Sequence, residues 1–250
     1  MLTSKDSNKH WEKYGETEPY YGVLSDEKFL KDNLNLESID EFFKSGETYV
    51  HSIMETVAEQ FPDFQIRTAV DFGCGVGRLI IPFSKLAHKV IGLDVSTHML
   101  AEAQTNIANR NIDNISFAQD LSDLDREDRR FNFVHSVLVF QHIPVQNGEK
   151  IITELLRLLD IGGVGVLEFP IIVSDRRRLA NSLFQKIPLA YNIFNLVKGR
   201  NFFTPAMQFN EYPLNYIFRI LANHNCKRVF VTIDQDNRTT VATLFFRKSN

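Results

Sequence analysis

Ala69-Val70-Asp71-Phe72-Gly73-Cys74-Gly75-Val76-Gly77-Arg78 is an apolar strand that runs into three alternating glycines and then into a helical pattern. Such a turn suits a nucleotide-type ligand, because glycine takes unusual backbone angles and has no Cβ to hold the ligand off the main chain. Twenty-one residues after Gly73, the segment Ile91-Gly92-Leu93-Asp94-Val95-Ser96 ends a second strand in an acid. A carboxylate at that place can accept hydrogen bonds from two ribose hydroxyls. The dinucleotide fingerprint Gly-x-Gly-x-x-Gly/Ala would put its third small residue at position 78, where this chain has Arg78, so a pyrophosphate site is rejected.

Outward from this turn, short apolar runs alternate with helical patterns. Strands are predicted at Thr68–Phe72, Val90–Leu93, Ile115–Ala118, Phe133–Val137 and Val164–Phe169, and helices at Arg78–Leu86, His98–Asn109 and Gly148–Leu159. Apolar strands separated by helices imply a parallel sheet covered on both faces, with right-handed crossovers. A further helix near Leu214–Asn223 precedes two runs, Lys227–Ile233 and Thr239–Phe246, joined by the turn formers Asp234, Gln235, Asp236 and Asn237. The expected fold is a doubly wound α/β domain, a mostly parallel seven-stranded Rossmann-like sheet ending in an antiparallel hairpin. Residues 1–62 read as an N-terminal cap, with an aromatic-rich loop (Trp11, Tyr14, Tyr20, Tyr21) and a helix from about Gly46 to Gln60. Residues 63–250 read as the main domain, with a lid insertion at about 171–209.

The composition agrees with one globular core. The chain has 250 residues, 44% hydrophobic and 24% charged, without a run long enough to cross a membrane or the apolar core of a secretory signal. A cytoplasmic location is the expectation. Cys74 and Cys226 lie far apart and outside any Cys-x-x-Cys pair, which argues against a disulfide framework, and no metal site is expected. The net charge of −3 conceals an asymmetry: residues 1–60 hold thirteen acids against six bases, and residues 176–250 hold three against twelve. A positive C-terminal third could attract an anionic substrate or surface, but two solvated faces of complementary charge are the favoured reading.

The run Asp-x-Gly-x-Gly-x-Gly resembles motif I of the class I S-adenosylmethionine-dependent methyltransferases, and the resemblance extends from about Thr68 to Phe169. It implies S-adenosylmethionine as cofactor, with Asp71, Gly73, Cys74, Gly75 and Gly77 in the first motif. Asp94 falls where that family places its ribose-binding acid, Val95 beside the adenine and Met99 on the following helix. Asp120 and Leu121 fall where the adenine amino group is received by an acidic side chain and a neighbouring backbone amide. Phe131 to Pro144 resembles the fourth-strand motif, whose end, at Val137, faces the methyl donor; Asn132 stands where that strand usually opens on Asp. Leu158 to Gly163 resembles the turn into strand five.

Methyl transfer is a displacement governed by alignment, so no nucleophilic side chain is required. A hydroxyl acceptor would need a base, and His142, just past the fourth strand, is the candidate. His135, mid-strand among apolar residues, reads as a buried, hydrogen-bonded histidine. The absence of an Asn/Asp-Pro-Pro-Tyr segment argues against a DNA adenine methylase, and a small-molecule acceptor is expected. The rivals are a non-catalytic protein binding S-adenosylmethionine or S-adenosylhomocysteine, and an RNA methyltransferase, for which a pI of about 6.2 leaves a modest electrostatic footprint. Arg176, Arg177, Arg178, Lys186, Lys198 and Arg200, interleaved with apolar residues, would suit either a solvated lid face or a lipid-linked substrate. The N-terminal aromatics could cover a sulfonium through cation–π contact or simply pack the cap.

Overall fold

A computed structural model describes residues 4–124, 130–174, 178, 197, 207, 209–235 and 239–250. Its centre is a seven-stranded sheet of order β3-β2-β1-β4-β5-β7-β6. The strands are β1 (Thr68–Phe72), β2 (Lys89–Leu93), β3 (Ile115–Ala118), β4 (Phe131–Ser136), β5 (Leu159–Val173), β6 (Cys226–Gln235) and β7 (Thr239–Lys248). The first five are parallel, and β7 pairs antiparallel with both β5 and β6. Every residue of β4 is buried, as expected for a central strand covered on both faces.

Two apolar layers flank the sheet. One gathers Val76, Ile80, Phe83, Val90 and Phe133 with α3 (Leu36–Gln60) and α5 (Thr97–Ala108); the other gathers Val70, Ile91 and Leu167 with α6 (Val145–Leu158) and α7 (Leu214–Asn223). Two further helices, α1 (Ser4–Thr17) and α2 (Pro19–Val23), precede α3, and α4 (Ile80–Ser84) follows the glycine turn.

Several local expectations are corrected. Trp11 and Tyr14 lie on α1, and Tyr20 and Tyr21 on α2, where a loop was predicted. Helix α3 begins ten residues before Gly46, at a capping box in which Asn35 accepts from the Ser38 N–H and Ser38 Oγ accepts from the Asn35 N–H. Gly46 is a mid-helix contact point, since a Cβ there would stand 2.3 Å from the Arg78 carbonyl oxygen. Helix α6 passes straight into β5, so Leu159 to Gly163, read as a turn, is strand; the register with β4 shifts between Phe131 and Phe133 to accommodate it. Asp234 and Gln235 are paired strand residues, while Asp236 and Asn237 lie outside the described residues.

Most of the expected lid, with Arg176, Arg177, Lys186, Lys198 and Arg200, also lies outside the described residues. Ile171 to Val173 belong to β5, and Arg178 donates to Glu211 Oε1 at 2.7 Å. Among the described residues no helix is long and apolar enough to cross a membrane.

Candidate functional site

The carboxyl ends of β1, β2 and β4, with the residues just after β3, surround one cavity that α1 roofs with Ser7, Asn8 and Trp11. Such a crevice beyond the strand ends is where doubly wound sheets bind ligands. Eleven of the twelve residues singled out from sequence line it: Asp71, Gly73, Cys74, Gly75, Asp94, Val95, Met99, Asp120, Leu121, Val137 and His142. Gly77 does not, because its backbone turns toward Ile80 and Ala103.

The turn is built on left-handed backbone, with φ of 79° at Gly73 and 52° at Gly75. The Gly73 and Cys74 N–H groups both donate to Leu93 O, which ties the turn to the end of β2. A Cβ at Gly73 would lie 2.2 Å from Val139, and one at Gly75 2.7 Å from Val23, so neither position admits a larger residue. Burial drives the Cys74 thiol well above its ordinary pKa, which leaves it a neutral packing group.

Asp94 is held at the cavity edge by the glycine turn and by its own loop. Its Oδ2 accepts from Gly75 N and its Oδ1 from Ser96 N, each at 2.9 Å. Burial pushes its carboxyl up to about 6, against the lowering effect of those two N–H groups. Ser96 also caps α5 by accepting from Met99 N, so the acid and the helix are placed by one tight turn. Asp120 is held below the usual carboxylate range by the N–H and hydroxyl of Ser122. The adjacent Gln119 lines the cavity and donates to Val95 O.

Beneath the turn runs a buried chain. Asp71 Oδ1 lies 2.6 Å from His135 Nδ1, and His135 Nε2 lies 3.3 Å from the Tyr49 hydroxyl. A carboxylate only accepts, so Nδ1 carries the proton and Nε2 accepts from Tyr49. His135 is fully buried, as its strand position implied.

Past β4 the chain is strained. Leu138 has φ 62°, costly for a residue with a Cβ, and its N–H donates to Glu168 Oε1 at 3.3 Å. Burial pushes Glu168 up to about 7. His142 is buried in a short 3-10 turn, Phe140–His142, with Trp11 against one side at 4.7 Å and Phe209 near it at 5.4 Å between centroids. Gln141 Nε2 donates to Leu138 O, which sets the amide orientation, and its second N–H meets His142 Nε2 at 3.0 Å. The Nε2 lone pair therefore faces a protein donor.

Sequence reading missed Ser7, Asn8, Gln119, Leu138, Asn147 and Ile151, all on the cavity wall. Those on α1 carry no motif. Gln119 was within reach, as the neighbour of Asp120. Among the four N-terminal aromatics, Trp11 lines the cavity; Tyr14, Tyr20 and Tyr21 pack in the core, where Tyr20 donates to Glu102.

Residues 69–163 match the family model described as a methyltransferase domain. In solved structures, the magnesium protoporphyrin IX methyltransferase of Synechocystis with bound S-adenosylhomocysteine is similar over 99% of this chain and 100% of its own, at 19% identity and a TM-score of 0.64. Phosphoethanolamine N-methyltransferase 2 of Haemonchus contortus is similar over 80% of this chain and 53% of its own, at 13% identity and a TM-score of 0.57. A 23S rRNA (uracil(1939)-C(5))-methyltransferase of Pasteurella multocida is 25% identical over 120 residues, 48% of this chain. An uncharacterized protein of Methanocaldococcus jannaschii is 34% identical over 77 residues, 30% of this chain. The chain covers 26% and 33% of the length of these two relatives.

The matched segment, 69–163, holds the glycine turn, Asp94 and Asp120, and the fold is one shared with methyltransferases solved with bound S-adenosylhomocysteine. The Synechocystis enzyme has also been solved with bound S-adenosylmethionine.

Proposed function

We propose that this chain methylates a small-molecule acceptor bound between the strand ends and α1. The observation that carries the reading is the convergence of the Gly73–Gly75 turn, Asp94 and Asp120 on one cavity whose wall also carries the apolar side chains of Trp11, Val139, Ile143 and Ile151. S-adenosylmethionine, when bound, would supply a methyl group on a sulfonium for transfer to the acceptor. Asp94, partly exposed, would offer its remaining lone pairs to ribose hydroxyls, and Asp120 and the Leu121 amide would take the adenine edge beside Val95 and Met99. Asp71 and Val137 stand at the methyl-donating end. Residues 1–62 act as the cap, through α1, over the domain formed by 63–250.

His142 serves as base for a hydroxyl acceptor. It does so by exchanging the Gln141 amide for the acceptor O–H, which ties deprotonation to acceptor binding. An amine or carboxylate acceptor would not require it.

Calorimetry with S-adenosylhomocysteine, followed by conversion of S-adenosylmethionine in the presence of hydroxyl, amine and carboxylate acceptors, tests the proposal. Binding without turnover on any acceptor would favour the non-catalytic reading, and absence of binding by folded protein would refute both. The Pasteurella relative raises an RNA acceptor; RNA binding that weakens steeply with salt would favour that instead.

A further inference from the structure

Side chains alternate along a strand, so Glu168 shares one face of β5 with Val164 and Val166. Both valines are buried in the layer that holds Phe83 and Phe133. Where the same period would place another apolar residue, the chain has an acid, and burial pushes its carboxyl up to about 7. Packing therefore does not account for Glu168. It stands just beyond the pairing of Ser136 with Leu167, level with the end of β4. Among the described residues its carboxyl makes one hydrogen bond, accepting from the Leu138 N–H.

A left-handed Leu138 persists only where its surroundings hold it. Its peptide groups are tied on both sides, the N–H to Glu168 and the carbonyl to Gln141 Nε2. What the turn presents depends on that conformation. Val137, Leu138 and Val139 line the cavity, Val139 packs against Gly73, and the Val139 carbonyl accepts from the His142 N–H at 2.9 Å. One bond from β5 thus supports the backbone that carries three wall residues and the candidate base. Glu168 itself does not line the cavity. We infer that Glu168 is a positioning residue, whose carboxyl holds the turn after β4 in the form that receives ligand. The inference rests on the cofactor reading proposed above. Ionised or neutral, the carboxyl keeps an oxygen that can accept, so its role is that of an acceptor rather than of a charge.

Calorimetry with S-adenosylhomocysteine, set beside the melting temperature of each protein, is the test. Glu168→Leu suits the apolar face but removes the acceptor. It should keep or raise the melting temperature while weakening binding about tenfold, the effect of leaving one amide unpaired. Glu168→Gln retains an acceptor oxygen and should bind like the wild type. A folded Glu168→Leu protein with wild-type affinity would overturn the inference, as would a Glu168→Gln protein weakened as much as the leucine variant. Where the leucine variant does not fold, Glu168→Ala, which removes the acceptor without adding bulk, decides by the same comparison. A folded wild type that does not bind S-adenosylhomocysteine would instead remove the cofactor reading and, with it, this inference.

Discussion

Both oxygens of Asp94 already accept a backbone N–H, so a bound ribose would use their second lone pairs. Asp94→Ala should weaken S-adenosylhomocysteine binding by about ten- to a hundredfold, read by calorimetry; unchanged affinity would remove the residue from the site. Because burial raises this carboxyl to about 6, and hydroxyl donors favour its ionised form, the complex holds fewer protons than the free protein. Affinity should therefore rise with pH through about 6 and level off above it, a dependence that Asp94→Asn should flatten. Gly75→Val should abolish binding, since its positive φ and the nearby Val23 leave no room for a branched side chain. For a hydroxyl acceptor, His142→Ala should lower turnover about a hundred- to ten-thousandfold with cofactor affinity nearly intact. Full activity on such an acceptor would leave His142 as the packing partner of Trp11 and Phe209.

The entry to β1 and the start of β4 are joined by one side chain. Asn132, buried where the related motif usually has Asp, accepts from the N–H groups of Arg67 and Thr68 and donates to Gln65 O. A carboxylate could take the two N–H groups but could not donate to Gln65 O. Asn132→Asp should thus cost about 1–3 kcal/mol at neutral pH, measured by denaturant unfolding, with unaltered stability counting against this bracket. Helix α1 shows a different kind of dependence. Its Glu12 accepts from Thr97 and His98 at the start of α5, and these hydrogen bonds outweigh burial and hold the acid at about 2. Strand β3 and helix α7 were legible to the residue, whereas α1 read as loop: its Trp and Tyr pack on each other and on α2, but the helix is seated on α5 and the β4 end, which lie far along the chain.

Among the described residues, two acids raised by burial, Asp94 and Glu168, set how stability should vary with pH. Asp94 at about 6 and Glu168 at about 7 lie above the ordinary range of an unfolded chain, roughly 4. Between those values the folded protein holds more protons, so its stability is greatest at the acid end of the window and declines as pH rises from about 4 to about 7. Glu12, held at about 2, works in the opposite sense only below about 4.5. The melting temperature of the ligand-free protein should fall between pH 5 and 7.5, and less so in Glu168→Gln; a fall of equal size in that variant would exclude Glu168 as a cause. The mostly parallel sheet with its terminal hairpin and the positions of the glycine turn, Asp94 and Asp120 at its strand ends were readable along the chain, because each follows from apolar runs and turn residues within a few positions of one another; the order of the strands was not. What closes over them was not. Ser7 meets the His142 carbonyl across 135 residues, Gly46 sits on Arg78, and Glu168 holds Leu138 in a strained turn. Such contacts impose no local period, because any small residue or hydrogen-bonding group would satisfy them, and only packing in three dimensions selects which ones meet.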